Sequence, residues 1–394
     1  MKSIFHELGP TYTRRSYRMS APSFWKLLKI LEPQLQVEAS EKPMFNTVKG
    51  AKNGLIPHEI RLSSALRYFA GGRPDDICLV HGISPVEVYR SVWKVVDAIN
   101  TTEALAIVFP EDEEQQRALA KGFKELSDPG IACCVGAIDG LLIWTEQPTE
   151  RDCLKAEVGP KKFMCGRKKK FGLNLQGTCD YKGQFLDISI GHPASTSDYL
   201  AFSTSSLCYK LENGLLAPGF CLFGDNAHVN TNYMATPFKS VRAGTKDDYN
   251  FYHSQLRIKV ECSFGMLVNR VGILRKAIPA SIGIQKTVAL VMSLCRLHNY
   301  CINEREASLP ALAMDNADIC VNGGFAEQQG ATGLPDDLNH NGEHFADVPR
   351  TERRQATYRG RKNAVEGILP RDRLWTLVED SGMKRPLPLQ WDDA

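Results

Sequence analysis

Two short apolar runs that each end on an aspartate constrain this chain more than any other feature. They are residues 132–139 (ACCVGAID) and 219–225 (GFCLFGD). Runs of that length, with Gly140 or Asn226 directly after the acid, read as buried strands rather than helices. Between them, residues 171–180 (FGLNLQGTCD) and 183–191 (GQFLDISIG) alternate and are joined by Tyr181-Lys182, the pattern of a hairpin. Ser195-Thr196-Ser197 then opens a helix to about Glu212. An amphipathic helix follows over 253–267 and a strongly apolar one over 284–303. Three strands, a helix, a strand and further helices predict an α/β domain over residues 130–303. In such a domain, acids at strand ends stand where ligands bind.

The chain before and after this domain has a different character. Residues 58–110 predict a helical unit. A first helix, HEIRLSSALRYF, stops at Gly71-Gly72; a second, short one begins at Pro74 and ends at His81-Gly82. In a third, Ser84 can cap, Pro85 suits the first turn and Glu87 can reach back. Helix, glycine-containing turn and capped helix make a helix-turn-helix pattern. Residues 1–57 combine an apolar helical patch, Ser23 to Leu31, with basic, turn-rich flanks such as Tyr12 to Arg18. Residues 304–349 predict a flexible acidic linker: the stretch 303–348 holds nine acids against one arginine. Residues 350–394 predict a basic tail with helical pieces at 351–365 and 371–380.

Asp139 and Asp225 could each simply begin a turn. Glu261 adds a third carboxylate, on the helix HSQLRIKVECSFGML, where His253, Arg257 and Glu261 recur at i, i+4 and i+8. Leu256, Val260, Phe264 and Leu267 give that helix an apolar stripe for packing on a sheet. An ordinary Arg–Glu surface pair is the plain alternative. Three carboxylates together suit hard divalent cations, which take oxygen ligands. Two such ions about 4 Å apart can activate water and stabilise the leaving oxygen of a phosphodiester.

The series GAIDG, FGLNLQGTCD, FLDISIGHPASTSDYLAF, FGDNAHV and HSQLRIKVECSFGML resembles the transposase domain of the PIF/Harbinger superfamily and the nuclease-like proteins derived from it. The resemblance spans roughly residues 130–302 and rests on motif order and on the 35 residues between Asp225 and Glu261. It implies an RNase H-like fold, a mixed five-stranded sheet flanked by helices with the acids converging at one edge. It also implies Asp139, Asp225 and Glu261 as a catalytic, metal-binding triad holding two Mg²⁺ or Mn²⁺ ions. A separate Myb-like protein for end recognition and nuclear import belongs to the same implication. Two stretches depart from the family pattern: Asp225-Asn226-Ala227-His228, where Asp-Ser-Gly-Tyr is usual, and Leu141-Leu142-Ile143-Trp144, where more polar residues are usual.

DNA contacts are expected from the basic run 161–170, KKFMCGRKKK, with Arg167, Lys168, Lys169 and Lys170 following a phosphate backbone. A solvated loop is the alternative. Tyr89, Arg90 and Lys94 on the third helix of the helix-turn-helix are further candidates, unless that unit only packs. Arg257 and His253 either meet phosphate, orient Glu261 or form a structural pair. Asp198 is read as a helix-start acid and Asp180 as a turn residue. Cys295, His298 and Cys301 read as buried core rather than zinc ligands. The 12 cysteines include no Cys-x-x-Cys pair and are expected to be reduced, intracellular thiols. The net charge of +3 does not by itself announce a nucleic-acid binder. No apolar run is long enough for a membrane span. Function is therefore expected to be DNA cleavage, with strand transfer, by a nuclear enzyme. The alternative is a domesticated, non-catalytic DNA- or chromatin-binding protein. The oligomeric state is left open, a homodimer among the options.

Overall fold

A computed structural model describes residues 1–36, 56–307 and 368–386. The expected linker beyond residue 307 and the helical piece at 351–365 lie outside the described residues. The sheet is built on β1 (Cys134–Trp144). On one side β1 pairs antiparallel with β3 (Lys170–Cys179), which pairs antiparallel with β4 (Phe185–Pro193). On the other side it pairs parallel with β5 (Cys221–Phe223), which pairs parallel with β6 (Met234–Ala235). A two-residue β2 (Met164–Cys165) pairs with the start of β3 and brings the mixed sheet to six strands rather than the expected five. A pairing that short carries no periodicity to be read in a sequence. With helices flanking the sheet, this is an RNase H-like arrangement.

The hairpin forms where alternation placed it, but its turn is wider than Tyr181-Lys182. Asp180 accepts at Oδ1 from the backbone N–H groups of Lys182 (2.9 Å) and Gln184 (2.8 Å), so this acid shapes the turn. The single helix expected after Ser197 is two, α8 (Asp198–Ser203) and α9 (Ser206–Glu212). The hydroxyls of Ser197 and Ser205 each accept from a backbone N–H three residues on and start a helix apiece. The two long helices are α10 (Thr245–Arg270) and α11 (Ile284–Ala307).

The N-terminal part is all helical: α1 (Lys2–Tyr17), α2 (Ala21–Leu35), α3 (His58–Phe69), α4 (Pro74–His81) and α5 (Pro85–Thr101). The expected turn-rich flank at Tyr12 to Arg18 is instead the end of α1. Gly9 (φ 69°) and Pro10 kink that helix without ending it, and Phe5 and Tyr17 pack on Phe24 of α2. α4 and α5 form the helix-turn-helix, with Gly82 at φ 63° closing α4 and the Ser84 hydroxyl capping α5. Leu62, Val92, Val96 and Ile99 of this unit belong to the same hydrophobic core as Ala137, Leu141 and Ile143 of β1 and Leu294 of α11. One face of the sheet and the N-terminal helices therefore share a core. Two further helices lie elsewhere, α6 (Glu113–Lys124) against β1 and α7 (Glu150–Lys155). The last, α12 (Pro370–Asp380), packs against α10 and β6.

Candidate active site

Asp139 does not end its strand as expected; β1 runs five residues past it, to Trp144. The apolar residues Leu141 and Ile143 continue the buried face after the acid, which keeps Asp139 inside the sheet. Asp225 follows β5 by two residues. Because β1 and β5 are parallel with Ala137 beside Phe223, the two acids come level with each other two residues further on. Glu261 arrives from α10, which lies across the sheet next to them. Gly177 of β3 is the direct partner of Asp139, and a Cβ there would stand 2.9 Å from the Phe264 ring. Glycine at this position lets α10 settle close enough for Arg257 to reach Asp139.

All three acids meet one arginine or its field. Arg257 Nη1 donates to Asp139 Oδ2 at 3.0 Å, and Nη2 makes a short bond to Glu261 Oε1. The backbone N–H of Gly140 donates to Asp139 Oδ1 at 2.7 Å. Burial pushes the Asp139 carboxyl up to about 6; Arg257 pulls it down, while the charges of Asp225 and Glu261 push it further up. Burial would raise Asp225 too, but the hydrogen bond and charge of His228 and the Ala227 N–H outweigh it and hold that carboxyl below its ordinary value. The guanidinium of Arg257 loses from burial, yet Glu261, Asp139 and Asp225 together raise its affinity for the proton. Among the described residues, no group of three His, Cys, Asp or Glu side chains stands ready to hold a metal ion. The oxygen donors are of the right kind for a hard divalent ion, but a guanidinium sits among them.

His228 was visible in the sequence only as a departure from the family pattern. Its Nδ1 lies 2.8 Å from Asp225 Oδ1, its side chain is buried, and Phe202 meets it edge-on. Asp and His three residues apart after a strand was the available signal. His253 neither orients Glu261 nor faces solvent: fully buried and stacked on Phe223 at 4.6 Å, it bonds through Nε2 to the Ala235 carbonyl and ties α10 to the sheet edge. Burial pushes this imidazole down to about 4.

Asp198 has more partners than a helix-start acid needs. Its Oδ1 accepts from Asn174 Nδ2 and Gln176 Nε2, both at 2.9 Å, and a Cβ on Gly140 would come within 2.2 Å of it. Asn174 and Gln176 went unnoticed because alternation marks a strand's polar residues without saying what they bond. Lys168 is half-buried near both Asp139 and Asp198; burial and Arg167 lower its proton affinity and the two acids raise it. Arg167 and Lys169 are exposed in the turn between β2 and β3, and Lys170 Nζ lies 3.9 Å over the Trp144 ring. On α5, Tyr89 is exposed and packs edge-on against Tyr68, Arg90 pairs with Glu87, and Lys94 is half-buried. Cys295 and Cys301 are buried, and His298 bonds the Gly183 carbonyl at 2.9 Å and Arg270 at 3.1 Å, a core arrangement.

Residues 138–299 match the family described as DDE superfamily endonuclease, so this part of the chain is similar to a DDE transposase-like domain. No curated protein and no solved structure matches the chain. That similarity supports a nuclease or transposase-like function acting on DNA, and DDE superfamily endonucleases generally use divalent metals. No helix among the described residues is long and apolar enough to cross a membrane.

Proposed function

We propose that the protein is a metal-dependent DNA endonuclease of the PIF/Harbinger transposase type, with Asp139, Asp225 and Glu261 as its metal-holding triad. The observation that carries this reading is that Arg257 of α10 bonds both Asp139 of β1 and Glu261, with Asp225 just past β5 level with Asp139, inside the segment that matches the endonuclease family. Mg²⁺ or Mn²⁺, as a pair, would supply activation of the attacking water and charge relief at the leaving oxygen. His228 and the Ala227 N–H fix Asp225 in its ionised form, ready to accept a cation. Gly140 N–H favours the ionised form of Asp139 as well, without outweighing its burial. Arg167, Lys168 and Lys169 bring positive charge to the side where Lys168 nears the acids, which suits a phosphate backbone. Tyr89, Arg90 and Lys94 are proposed as a second DNA contact. Attack of the freed 3′-hydroxyl on target DNA, a Myb-like partner and work in the nucleus complete the reading.

The test is Asp225→Asn, assayed on DNA carrying the genomic flanks of the gene. Asn keeps an oxygen for the Ala227 N–H but loses the charge, so cleavage should fall below detection while the fold stays intact. In melting experiments Mn²⁺ should raise the midpoint of the wild type and not that of the variant.

A second reading, a domesticated DNA-binding protein without catalysis, has one observation in its favour: Arg257 already pairs with both Asp139 and Glu261. Under it, the wild type gains no stability from Mn²⁺ and cuts nothing. The same melting and cleavage experiments decide between the two.

A further inference from the structure

The candidate site contains its own cation, and that cation holds one oxygen each of two of the acids proposed to bind metal. Arg257 lies one helical turn before Glu261 on α10, with a side chain about one-fifth exposed, bridging Asp139 Oδ2 and Glu261 Oε1. The remaining oxygen of Asp139 takes the Gly140 N–H, and Oδ1 of Asp225 takes His228 and the Ala227 N–H. The bridge is not an incidental surface pair. Gly177 and Phe264 set the depth of α10, and His253 pins the helix one turn further back, so Arg257 is delivered between the acids by the fold.

A guanidinium and a divalent ion on the same pair of carboxylates repel each other and compete for their lone pairs, so binding of one weakens binding of the other. A guanidinium separated from these acids would then need another anion, because an unpaired, partly buried charge is unfavourable. Arginine's planar fork matches two phosphate oxygens. We propose that Arg257 is a displaceable counter-cation: a divalent ion loads by taking Asp139 and Glu261 from it, and a DNA phosphate receives the released side chain. Metal and DNA then bind with positive coupling, each raising the other's affinity by the same factor. This inference rests on the metal-site reading above.

The experiment is a calorimetric titration of Mn²⁺ into the full-length wild type and R257Q, first without DNA. Removing the competitor should tighten Mn²⁺ binding by about tenfold or more, equivalent to roughly 1.4 kcal/mol. A purely structural ion pair predicts equal or weaker binding in R257Q, and that result overturns the proposal. If R257Q does not fold, R257K serves in its place. A single ammonium cannot fork between both acids, so R257K should also bind Mn²⁺ more tightly than the wild type, and a failure to do so counts equally against the idea. Repeating the titration with an arbitrary DNA duplex should raise the wild-type affinity for Mn²⁺ more than that of the variant. Equal gains overturn the transfer of Arg257 to phosphate. If neither protein binds Mn²⁺, the metal-site reading falls together with the proposal. If the wild type binds and the variant binds no tighter, the displacement proposal falls alone.

Discussion

At the scale of single residues, the domain keeps several acids away from water, and each is handled differently. Asp139 is offset by Arg257 and Asp225 by His228, whereas Asp180 is held mainly by backbone N–H groups, with the charge of Lys182 a smaller help. Burial raises the Asp180 carboxyl from the usual 3.8 to about 6, with the N–H groups of Gln184, Lys182 and Gly183 pulling against it. A folded-state value above the unfolded one means that the native protein binds this proton more tightly. The ionised form therefore costs stability at neutral pH, and stability returns as pH falls through about 6 toward 4. Asp180→Asn keeps an oxygen to accept from Lys182 and Gln184 and removes the charge. The variant should be more stable than the wild type by about 1–3 kcal/mol at pH 7, with the difference nearly gone by pH 4. Urea denaturation at the two pH values checks it, and a difference that grows on acidification would contradict the assignment.

At the scale of elements, what was legible in the sequence follows what is local. Alternation reveals the β3–β4 hairpin, a 3.6-residue period reveals α10 and α11, and serine caps with glycine stops reveal α3, α4 and α5. The placement of Asp139 within β1 was not legible, because Gly140 after an acid looks like a turn until β3 pairs across it at Gln176. The Asp198–Asn174–Gln176 cluster and the bridge from Arg257 to Asp139 join residues far apart in sequence, and no spacing rule reaches them. Motif order picks out the three acids proposed as a triad, while the arginine that bonds two of them appears in the sequence only as an i, i+4 neighbour of Glu261. The turn between β2 and β3 also belongs to this scale. Lys169 sits there at φ 50°, with Arg167 exposed and Lys168 leaning toward the acids. Replacing Lys168, Lys169 and Lys170 together by alanine should weaken DNA binding and reduce the slope of log affinity against log salt by about two to three. Fluorescence anisotropy across a salt series measures the slope; an unchanged one would return the turn to the role of a solvated loop.

At the scale of the whole molecule, the site depends on how α10 is fixed, and α10 is held from several directions. Leu256, Val260, Phe264 and Leu267 bury against the sheet, and α11 contacts both α10 and the N-terminal α5. The outer end of α10 is covered by a segment from near the other end of the chain. Leu374 and Val378 of α12 are buried in one cluster with Tyr249, Leu256 and Phe223. Arg371 lies over the Phe238 ring at 4.3 Å, Trp375 donates to Thr245 at 3.0 Å, and Arg385 pairs with Asp247. β6, with only two residues, is a short sheet edge, and α12 covers it. Ending the chain after residue 367 should therefore expose the flank of the helix that carries Arg257 and Glu261. Burial of two aliphatic side chains of this size stabilises by about 3–6 kcal/mol at most, since the unfolded chain already hides part of their surface. The truncated protein should show a lower urea midpoint. Amide hydrogen exchange should rise first in the N-terminal turns of α10, near Tyr249, and less around Val260 and Phe264, which the sheet still covers. A midpoint equal to that of the full chain would mean that α12 rests on the domain without stabilising it, and that α10 is positioned by the sheet and α11 alone.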